Sequence, residues 1–195
     1  MEWTVRHGRS VALSIALKDA TERLMATEWN QRVIDATLIN ASADRVPICL
    51  SGLRGVGYLI SHQVASGEPV TPSLVTAVIK TMKHDSNDMK QLGAQVVSYI
   101  AQSVPRPLDI AIIRSFVPML VNGTKEKNTI VKTSSESALV TLLRLRTDDS
   151  TLQMTLNALE SGMKDVLNEV LSKTLRKMAS LPESSPDDID DTILV

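Results

Sequence analysis

The chain has 195 residues, of which 43% are hydrophobic, 22% charged and 3% aromatic, and this composition excludes a disordered chain. Residues 182–195 hold five acids and no base, so residues 1–181 carry 21 bases against 17 acids, a net charge of +4 that is too small for a dedicated nucleic-acid-binding domain. The single cysteine, Cys49, excludes an internal disulfide, and no apolar run approaches the roughly 20 residues of a membrane span. Because aromatic residues are scarce, helices are favoured over sheets.

The first predicted element is a helix over VRHGRSVALSIAL, residues 5–17. Arg6, His7, Arg9 and Ser10 fall close together there, as in a small catalytic or phosphate-binding cluster. However, the apolar residues surround the helix rather than forming one stripe, and this pattern predicts burial on several sides. Small residues at every second position also predict close approach of neighbouring helices. We therefore interpret the basic residues of this segment as structural.

The next helix is predicted over DRVPICLSGLRGVGYL, which contains three glycines in GLRGVG. Their order differs from that of a dinucleotide fingerprint, and no predicted strand precedes them. A phosphate-binding loop requires that strand–turn–helix context. We expect instead a tightly packed helix in which Gly52, Gly55 and Gly57 admit a neighbouring backbone.

Two further segments, PSLVTAVIKTMKHDS and PLDIAIIRSFVPMLVNGT, are predicted to be first helices of helix pairs. Each opens with proline near its first turn, where the missing N–H costs nothing. Second helices are predicted to follow them in NDMKQLGAQVVSYI and NTIVKTSSESALVTLL, and a last one lies in KDVLNEVLSKTLRKM. The chain therefore alternates between two kinds of helix.

The second helices recur with a fixed period. Taking Val5, Val46, Met89 and Val131 as equivalent, the spacings are 41, 43 and 42 residues, and the last step to Val166 is 35. A period of about 40–47 residues with two helices per unit is typical of HEAT repeats. Each unit alone could bury only one face, so neighbouring units must complete the core.

This period predicts an all-α fold, a right-handed α-solenoid of HEAT-type helix pairs with about four repeats and a leading helix. We expect residues 1–181 to form the array as a fragment of a longer solenoid, because no first helix precedes residue 5. Residues 182–195 are predicted to be an acidic, flexible tail. A basic residue follows three of the anchors, Arg6, Lys90 and Lys132, and we interpret these bases as a ladder that serves the stack.

No catalytic, metal-binding or cofactor-binding site is predicted. His7, His62 and His84 lie far apart in the sequence, and none has a partner at the spacing that places metal ligands on one helical face. Cys49 has no cysteine partner for a metal site. We therefore predict a protein that is not an enzyme, has no cofactor and takes no small-molecule substrate.

Two candidate binding features remain. In a HEAT stack the turns within successive units line up along one edge, so KTMKHDSND, NGTKEKNT and ESGMKD are expected to be neighbours. Their lysines would form a row of positive charge that either keeps the array soluble or faces ribosomal RNA or an acidic partner; nearby acids dilute this row. The candidate residues are Lys80, Lys83, Lys125, Lys127 and Lys164.

The second feature is the C-terminal Ile193-Leu194-Val195. Its apolar side chains and free carboxylate could add a strand to a groove that captures C-termini. Alternatively, the three residues dock on the last repeat or have no role.

Four runs of sequence resemble one family: DRVPICLSGLRGVGYLISH, GTKEKNTIVKTSSESALVTLLRLR, VLNEVLSKTLRKMAS and DDIDDTILV. In these runs the chain is similar to the C-terminal end of the giant HEAT-repeat translational activators of the general amino-acid control kinase. The resemblance extends over nearly all 195 residues.

That resemblance implies a cytoplasmic, ribosome-associated scaffold without catalytic activity. It also implies activation of the kinase that phosphorylates the alpha subunit of translation initiation factor two during amino-acid starvation, through contacts mostly outside this chain. The resemblance transfers no kinase-contact residue to a position here. The alternative from composition alone is a generic HEAT adaptor of the transport or phosphatase-subunit type, followed by a hydrolase or nucleotide-binding enzyme.

Overall fold

The computed structural model describes residues 2–103, 108–146, 149–158 and 161–179, and within these ranges every regular element is a helix. A single 3₁₀ turn at Thr81–Lys83 extends the fourth helix. The helices are α1 (Trp3–Met25), α2 (Asn30–Ala41), α3 (Val46–Ser66), α4 (Pro72–Lys80), α5 (Asn87–Ser103), α6 (Ile110–Thr124), α7 (Thr129–Arg146), α8 (Asp149–Ala158) and α9 (Ser161–Ala179).

The helices form two parallel layers. The first helices α2, α4, α6 and α8 contact one another in chain order, and so do the second helices α1, α3, α5, α7 and α9. Within the units, α2 packs on α3, α6 packs on α7, and α4 with its 3₁₀ turn packs on α5. This arrangement confirms the predicted all-α solenoid of helix pairs with a leading helix.

The core between the layers is aliphatic, as the composition requires. One ring, that of Phe116, is among its fully buried side chains. Full burial of each large apolar side chain stabilises the fold by about 1.5–3 kcal/mol, so the layer contacts dominate the stability of the array. The other largest fully buried side chains are Leu17, Ile48, Leu53, Leu59, Ile60, Leu74, Ile100, Ile113, Leu120, Leu139 and Leu142.

The turn between the first two units is closed by side-chain hydrogen bonds. Gly67 ends α3 with a φ of 74°, a left-handed conformation that glycine adopts without steric cost. The Gln63 amide then donates to Thr71 Oγ1 at 2.9 Å and accepts from the Thr71 N–H at 3.0 Å. Pro72 follows at the first turn of α4, where its missing N–H needs no partner. These contacts fix where the second unit begins.

In each of the first three units the two helices cross at a pair of small residues. A Cβ added to the glycine of each pair would meet atoms of the facing helix, so the side chains must stay small there. Thr81 and Gly123 occupy equivalent positions, 42 residues apart, and so do Gly93 and Ser135. In the second unit the glycine is on the second helix, whereas in the third unit it is on the first helix. The pairs are Ala41 with Gly52, Thr81 with Gly93, and Gly123 with Ser135.

The glycines of GLRGVG lie inside α3, as predicted for a packed helix. The expectation that all three admit a neighbouring backbone is correct for Gly52, which faces the backbone at the end of α2. It is wrong for Gly55 and Gly57. These two glycines face side chains, Gly55 those of α1 and α2, and Gly57 those of α5.

The prediction that residues 5–17 are buried on several sides is wrong for this chain. Val5 and Ile15 are 44% and 55% exposed, whereas Ser10 and Leu17 are buried. The reason is that α2 and α3 cover one side of α1. On that side Ser10 Oγ donates to the Ile48 carbonyl oxygen of α3 at 3.3 Å, so the small residues do permit close packing.

Three helix boundaries differ from the sequence expectations. The helix predicted over residues 5–17 runs on to Met25 and changes direction at Ala20, whose φ of −143° is not helical. Helix α6 begins at Ile110 because the Asp109 carboxylate accepts a hydrogen bond from the Ala111 N–H at 2.6 Å. Helix α9 begins five residues before the anchor Val166. The predicted tail, residues 182–195, and the end of the array at residue 181 lie outside the described residues.

Candidate functional site

The turns within the first three units lie along one edge of the stack. We define the turn edge as residues 42–45, 80–86 and 125–128. The turn of the fourth unit, at residues 159–160, lies outside the described residues.

Open clefts show that neighbouring turns are adjacent. A cleft of about 320 Å³ separates the first two turns and is lined by Asp44, Lys80 and His84. A second cleft, of about 470 Å³, is lined by the start of α5 and by the third turn, including Lys125 and Lys127. The structure therefore places each of these turns beside the next one, and the second and third turns carry four of the candidate lysines.

The candidate lysines differ in exposure. Lys80 and Lys83 are exposed at the end of α4 and in the 3₁₀ turn, and Lys125 and Lys127 are exposed in the third turn. Lys164 is half-buried in the first turns of α9. In the described part of the chain, no ion pair involves any of these five ammonium groups.

One acid of the turn edge is held by a base from the neighbouring unit. Lys90 Nζ lies 2.7 Å from Glu126 Oε1, and the side chains are 15% and 30% exposed. The carboxylate that would dilute the charge of Lys125 and Lys127 is thus neutralised by Lys90. The ladder interpretation holds for Lys90, which joins the second unit to the third. Arg6 and Lys132 are exposed, and neither takes part in the Lys90–Glu126 or the Lys173–Glu136 ion pair.

Local hydrogen bonds order the turn edge. The His84 ring accepts from the Ser86 N–H at its Nδ1 atom, at 2.9 Å. Asn128 Oδ1 accepts from the Ile130 and Val131 N–H groups at 3.0 and 3.1 Å, which caps the N-terminus of α7. Thr81 Oγ1 donates to the Val78 carbonyl oxygen at 2.7 Å. These bonds hold the backbone that carries the lysines.

The residues considered for catalysis are separated. The His7 ring stacks on Trp3 with ring centroids 6.4 Å apart, His62 lies in α3, and His84 lies on the turn edge. Within the described ranges, no three His, Cys, Asp or Glu side chains are grouped to hold a metal ion. The helices described are each too short or too polar to cross a membrane.

Cys49 is buried, and its Sγ lies 2.8 Å from the Ala41 carbonyl oxygen. Burial raises the pKa of this thiol from 9.0 to about 11. Since the thiolate is the nucleophilic form, the folded chain holds Cys49 in an unreactive state. The candidate C-terminal residues Ile193, Leu194 and Val195 lie outside the described residues.

The sequence analysis missed one surface feature, a cleft between α3 and α5 that contains Tyr58 and Tyr99. The signal was available, because these residues are 41 residues apart, as are Gly52 and Gly93 at the helix crossings of the same two units, and the chain has two tyrosines in all. Equivalent residues on successive second helices must be neighbours. Their side chains form an edge-to-face pair with centroids 5.3 Å apart.

The stacked helix pairs and the ordered edge of turns define a solenoid of the HEAT-repeat class. The family described as "Stalled ribosome sensor GCN1-like, HEAT repeats" matches residues 1–193, and the chain belongs to this family. The resemblance seen in the sequence is thereby confirmed.

Two curated relatives carry the name "Stalled ribosome sensor GCN1". The human and the mouse proteins are each 35% identical to this chain over 195 residues, which is 100% of this chain. The chain spans 7% of the length of each relative.

Proposed function

We propose that this chain is a non-catalytic part of a ribosome-associated scaffold in translational control, and that its turn edge contacts phosphates of ribosomal RNA. Family membership supports the first part, because the relatives are named as sensors of stalled ribosomes. It favours this function over a generic HEAT adaptor. The proposed location is the cytoplasm, where ribosomes translate.

The observation that carries the RNA contact is the arrangement of charge on the turn edge. Lys125 and Lys127 flank Glu126, and Lys90 neutralises that carboxylate at 2.7 Å. The neighbouring turn presents Lys80 and Lys83, both exposed. Ammonium groups on adjacent turns can each meet one phosphate along an RNA backbone. The turn edge has no Phe, Tyr or Trp side chain for base stacking, so the contact is expected to be weak and independent of sequence.

The proposal extends to the kinase that phosphorylates the alpha subunit of initiation factor two during amino-acid starvation. The family resemblance supports activation of this kinase by the larger protein, with contacts mostly outside this chain. The part of the array described here would position the larger protein on the ribosome. Loss of ribosome binding would then reduce phosphorylation of the alpha subunit in starved cells.

The test is co-sedimentation of the chain with purified ribosomes over a series of salt concentrations. The variant carries Lys→Glu at the five candidate positions, Lys80, Lys83, Lys125, Lys127 and Lys164. We expect the parent chain to sediment with ribosomes at low salt and the variant to remain in the supernatant. Each phosphate contact contributes about 0.7–0.9 to the log–log salt slope, so binding by the parent should fall steeply as salt rises.

A control variant reverses five exposed bases away from the turn edge and makes the same change in net charge. It should sediment like the parent chain, because its turn edge is intact. If the two variants lose binding equally, the contact follows net charge, and the turn edge is a solvated face. The control positions are Lys18, Arg23, Arg32, Arg114 and Lys173.

A further inference from the structure

A cleft of about 170 Å³ opens on the exposed face of the second helices, between α3 and α5. The buried residues Gly57, Leu92 and Val96 form its apolar floor, and the rings of Tyr58 and Tyr99 lie beside them. The other polar side chains that line the cleft are those of Arg54 and Gln95. Cavities of roughly 150 Å³ accommodate a molecule of the size of benzene, so this cleft accommodates one apolar side chain.

The lining repeats with the period of the solenoid. Tyr58 and Tyr99 are 41 residues apart, and so are Arg54 and Gln95. Equivalent positions of α3 and α5 therefore present the same two rows of side chains to solvent. A ligand that lies in the cleft therefore contacts both units, as an extended peptide does when it crosses the boundary between them.

The tyrosines lie at the border of the core, where Tyr58 is half-buried and packs against it. The core is aliphatic, yet both tyrosines of the chain lie in this cleft, and Tyr99 is 41% exposed. Their rings meet edge to face at an angle of 87°. Tyrosine and arginine are the residue types, with tryptophan, that contribute most to binding energy at protein interfaces. The cleft combines both types around an apolar floor.

The charge of the cleft comes from Arg54. Its side chain is exposed and takes part in neither the Lys90–Glu126 nor the Lys173–Glu136 ion pair. Burial raises the pKa of Tyr58. The nearby Tyr99 and Asp19 also raise this pKa, whereas Arg54 lowers it. Asp19 of α1 is therefore close to the cleft, but it is not part of the lining. A guanidinium beside an apolar slot suits a carboxylate, which it binds with two parallel hydrogen bonds.

We propose that this cleft binds an acidic peptide segment of a protein partner, with one aliphatic side chain between the tyrosine rings and the apolar floor and a neighbouring carboxylate on Arg54. The charge of Arg54 and the apolar floor select this ligand over a basic peptide. The cleft shares no residue with the turn edge. The two proposals can therefore fail independently.

The test uses the whole chain and a short synthetic peptide with a central leucine flanked by aspartates. Binding is followed by changes in the amide resonances of the chain. We expect the largest changes at residues of α3 and α5 around the cleft. Arg54→Glu should weaken binding about tenfold or more, because it replaces a charge-assisted contact by repulsion. Replacing both tyrosines by alanine should weaken binding by a similar factor, whereas Tyr99→Phe should retain it.

Controls separate the cleft from general charge effects. Arg32→Glu, on α2, makes the same charge change as Arg54→Glu and should leave peptide affinity unchanged. A peptide with lysines in place of the aspartates should bind more weakly to the parent and more tightly to Arg54→Glu. Circular dichroism should show equal helix content in all variants, so that loss of binding is not loss of folding.

Three results would overturn the proposal. The first is absence of binding by the acidic leucine peptide, and the second is equal binding by the parent and Arg54→Glu. The third is tighter peptide binding by a chain shortened after residue 181, because residues 182–195 hold five acids and would then be the occupant instead of an external partner.

Discussion

The identity of single small residues decides how closely the two helices of a unit approach. In the third unit Gly123 faces Ser135, and in the second unit the equivalent positions hold Thr81 and Gly93. One member of each pair is glycine, while the other fills the remaining space. The sequence alone shows where the glycines are, but not which residue each one faces, because pairing depends on the register of two helices that are packed together.

Gly123→Ala should destabilise the chain by about 1–3 kcal/mol, since the added Cβ would overlap Ser135 in a packed crossing. Gly8→Ala is the matched control, because a Cβ at Gly8 meets no atom within 4 Å. It should be neutral or stabilising by up to about 1 kcal/mol through helix propensity. The measurement is denaturant unfolding of both variants.

A transplant of the pair from the second unit provides a stricter check. Gly123→Thr combined with Ser135→Gly reproduces the arrangement of Thr81 and Gly93. The double variant should be more stable than Gly123→Thr alone. Equal stability of the single and double variants would show that the facing residue is irrelevant.

Cys49 is expected to react slowly with a thiol reagent at neutral pH in the folded chain and rapidly in denaturant, because burial raises its pKa to about 11. The folded thiol keeps its proton at a pH where the unfolded thiol, with a pKa near its ordinary value of 9.0, loses it. The associated stability is therefore present below pH 9.0 and is lost as the pH rises toward about 11. Labelling kinetics and unfolding curves across this range measure both effects.

The variant Cys49→Ala separates this thiol from other groups that titrate at high pH. Its stability should fall less steeply than that of the parent between pH 9.0 and about 11. Identical pH profiles for the two proteins would mean that the buried thiol does not contribute.

At the scale of the helix, α1 shows that the sequence predicts the presence of a helix better than it predicts which of its faces are buried. The helical spacing predicts the element, and its apolar residues predict contact on several sides. The structure buries Ser10 and Leu17 against one side and leaves Val5 and Ile15 exposed. Hydrophobicity indicates which faces can be buried, while the neighbours that are present decide which faces are buried.

Substitutions on opposite sides of α1 should therefore differ in cost. Leu17→Ala removes a fully buried side chain and should destabilise the chain by about 2–5 kcal/mol. Ile15→Ala changes a side chain that is 55% exposed and should cost less than about 1 kcal/mol. Thermal and denaturant unfolding measure the difference; equal losses would contradict the packing of α1 described here.

The positions of helices were more predictable than their ends and their side-chain partners. The period of about 41–43 residues follows from Val5, Val46, Met89 and Val131, and it fixes the number and order of the helix pairs. The start of α6 depends on the Asp109 cap rather than on the periodicity. The salt bridge from Lys90 to Glu126 depends on which turn lies beside α5 in space. Such contacts follow from the packing of units rather than from any one segment.

At the scale of the whole molecule, the stack presents two distinct surfaces. The turn edge carries exposed lysines on adjacent turns, and the face of the second helices carries the tyrosine cleft. In a repeat array each unit contacts only its neighbours, so a surface formed by equivalent residues extends across several units. We propose phosphate as the ligand of the first surface and an acidic peptide as the ligand of the second, and separate surfaces would let one array hold two partners at once.

The most direct test of the central claim is photo-crosslinking of the ribosome-bound chain. A photoreactive amino acid replaces Lys83 or Lys125 on the turn edge, and in matched variants it replaces Glu68 or Ser103 at the opposite ends of the second helices. We expect crosslinks to ribosomal RNA from the turn-edge positions and none from the opposite edge. Crosslinks from Glu68 and Ser103 without any from Lys83 and Lys125 would show that another surface faces the ribosome.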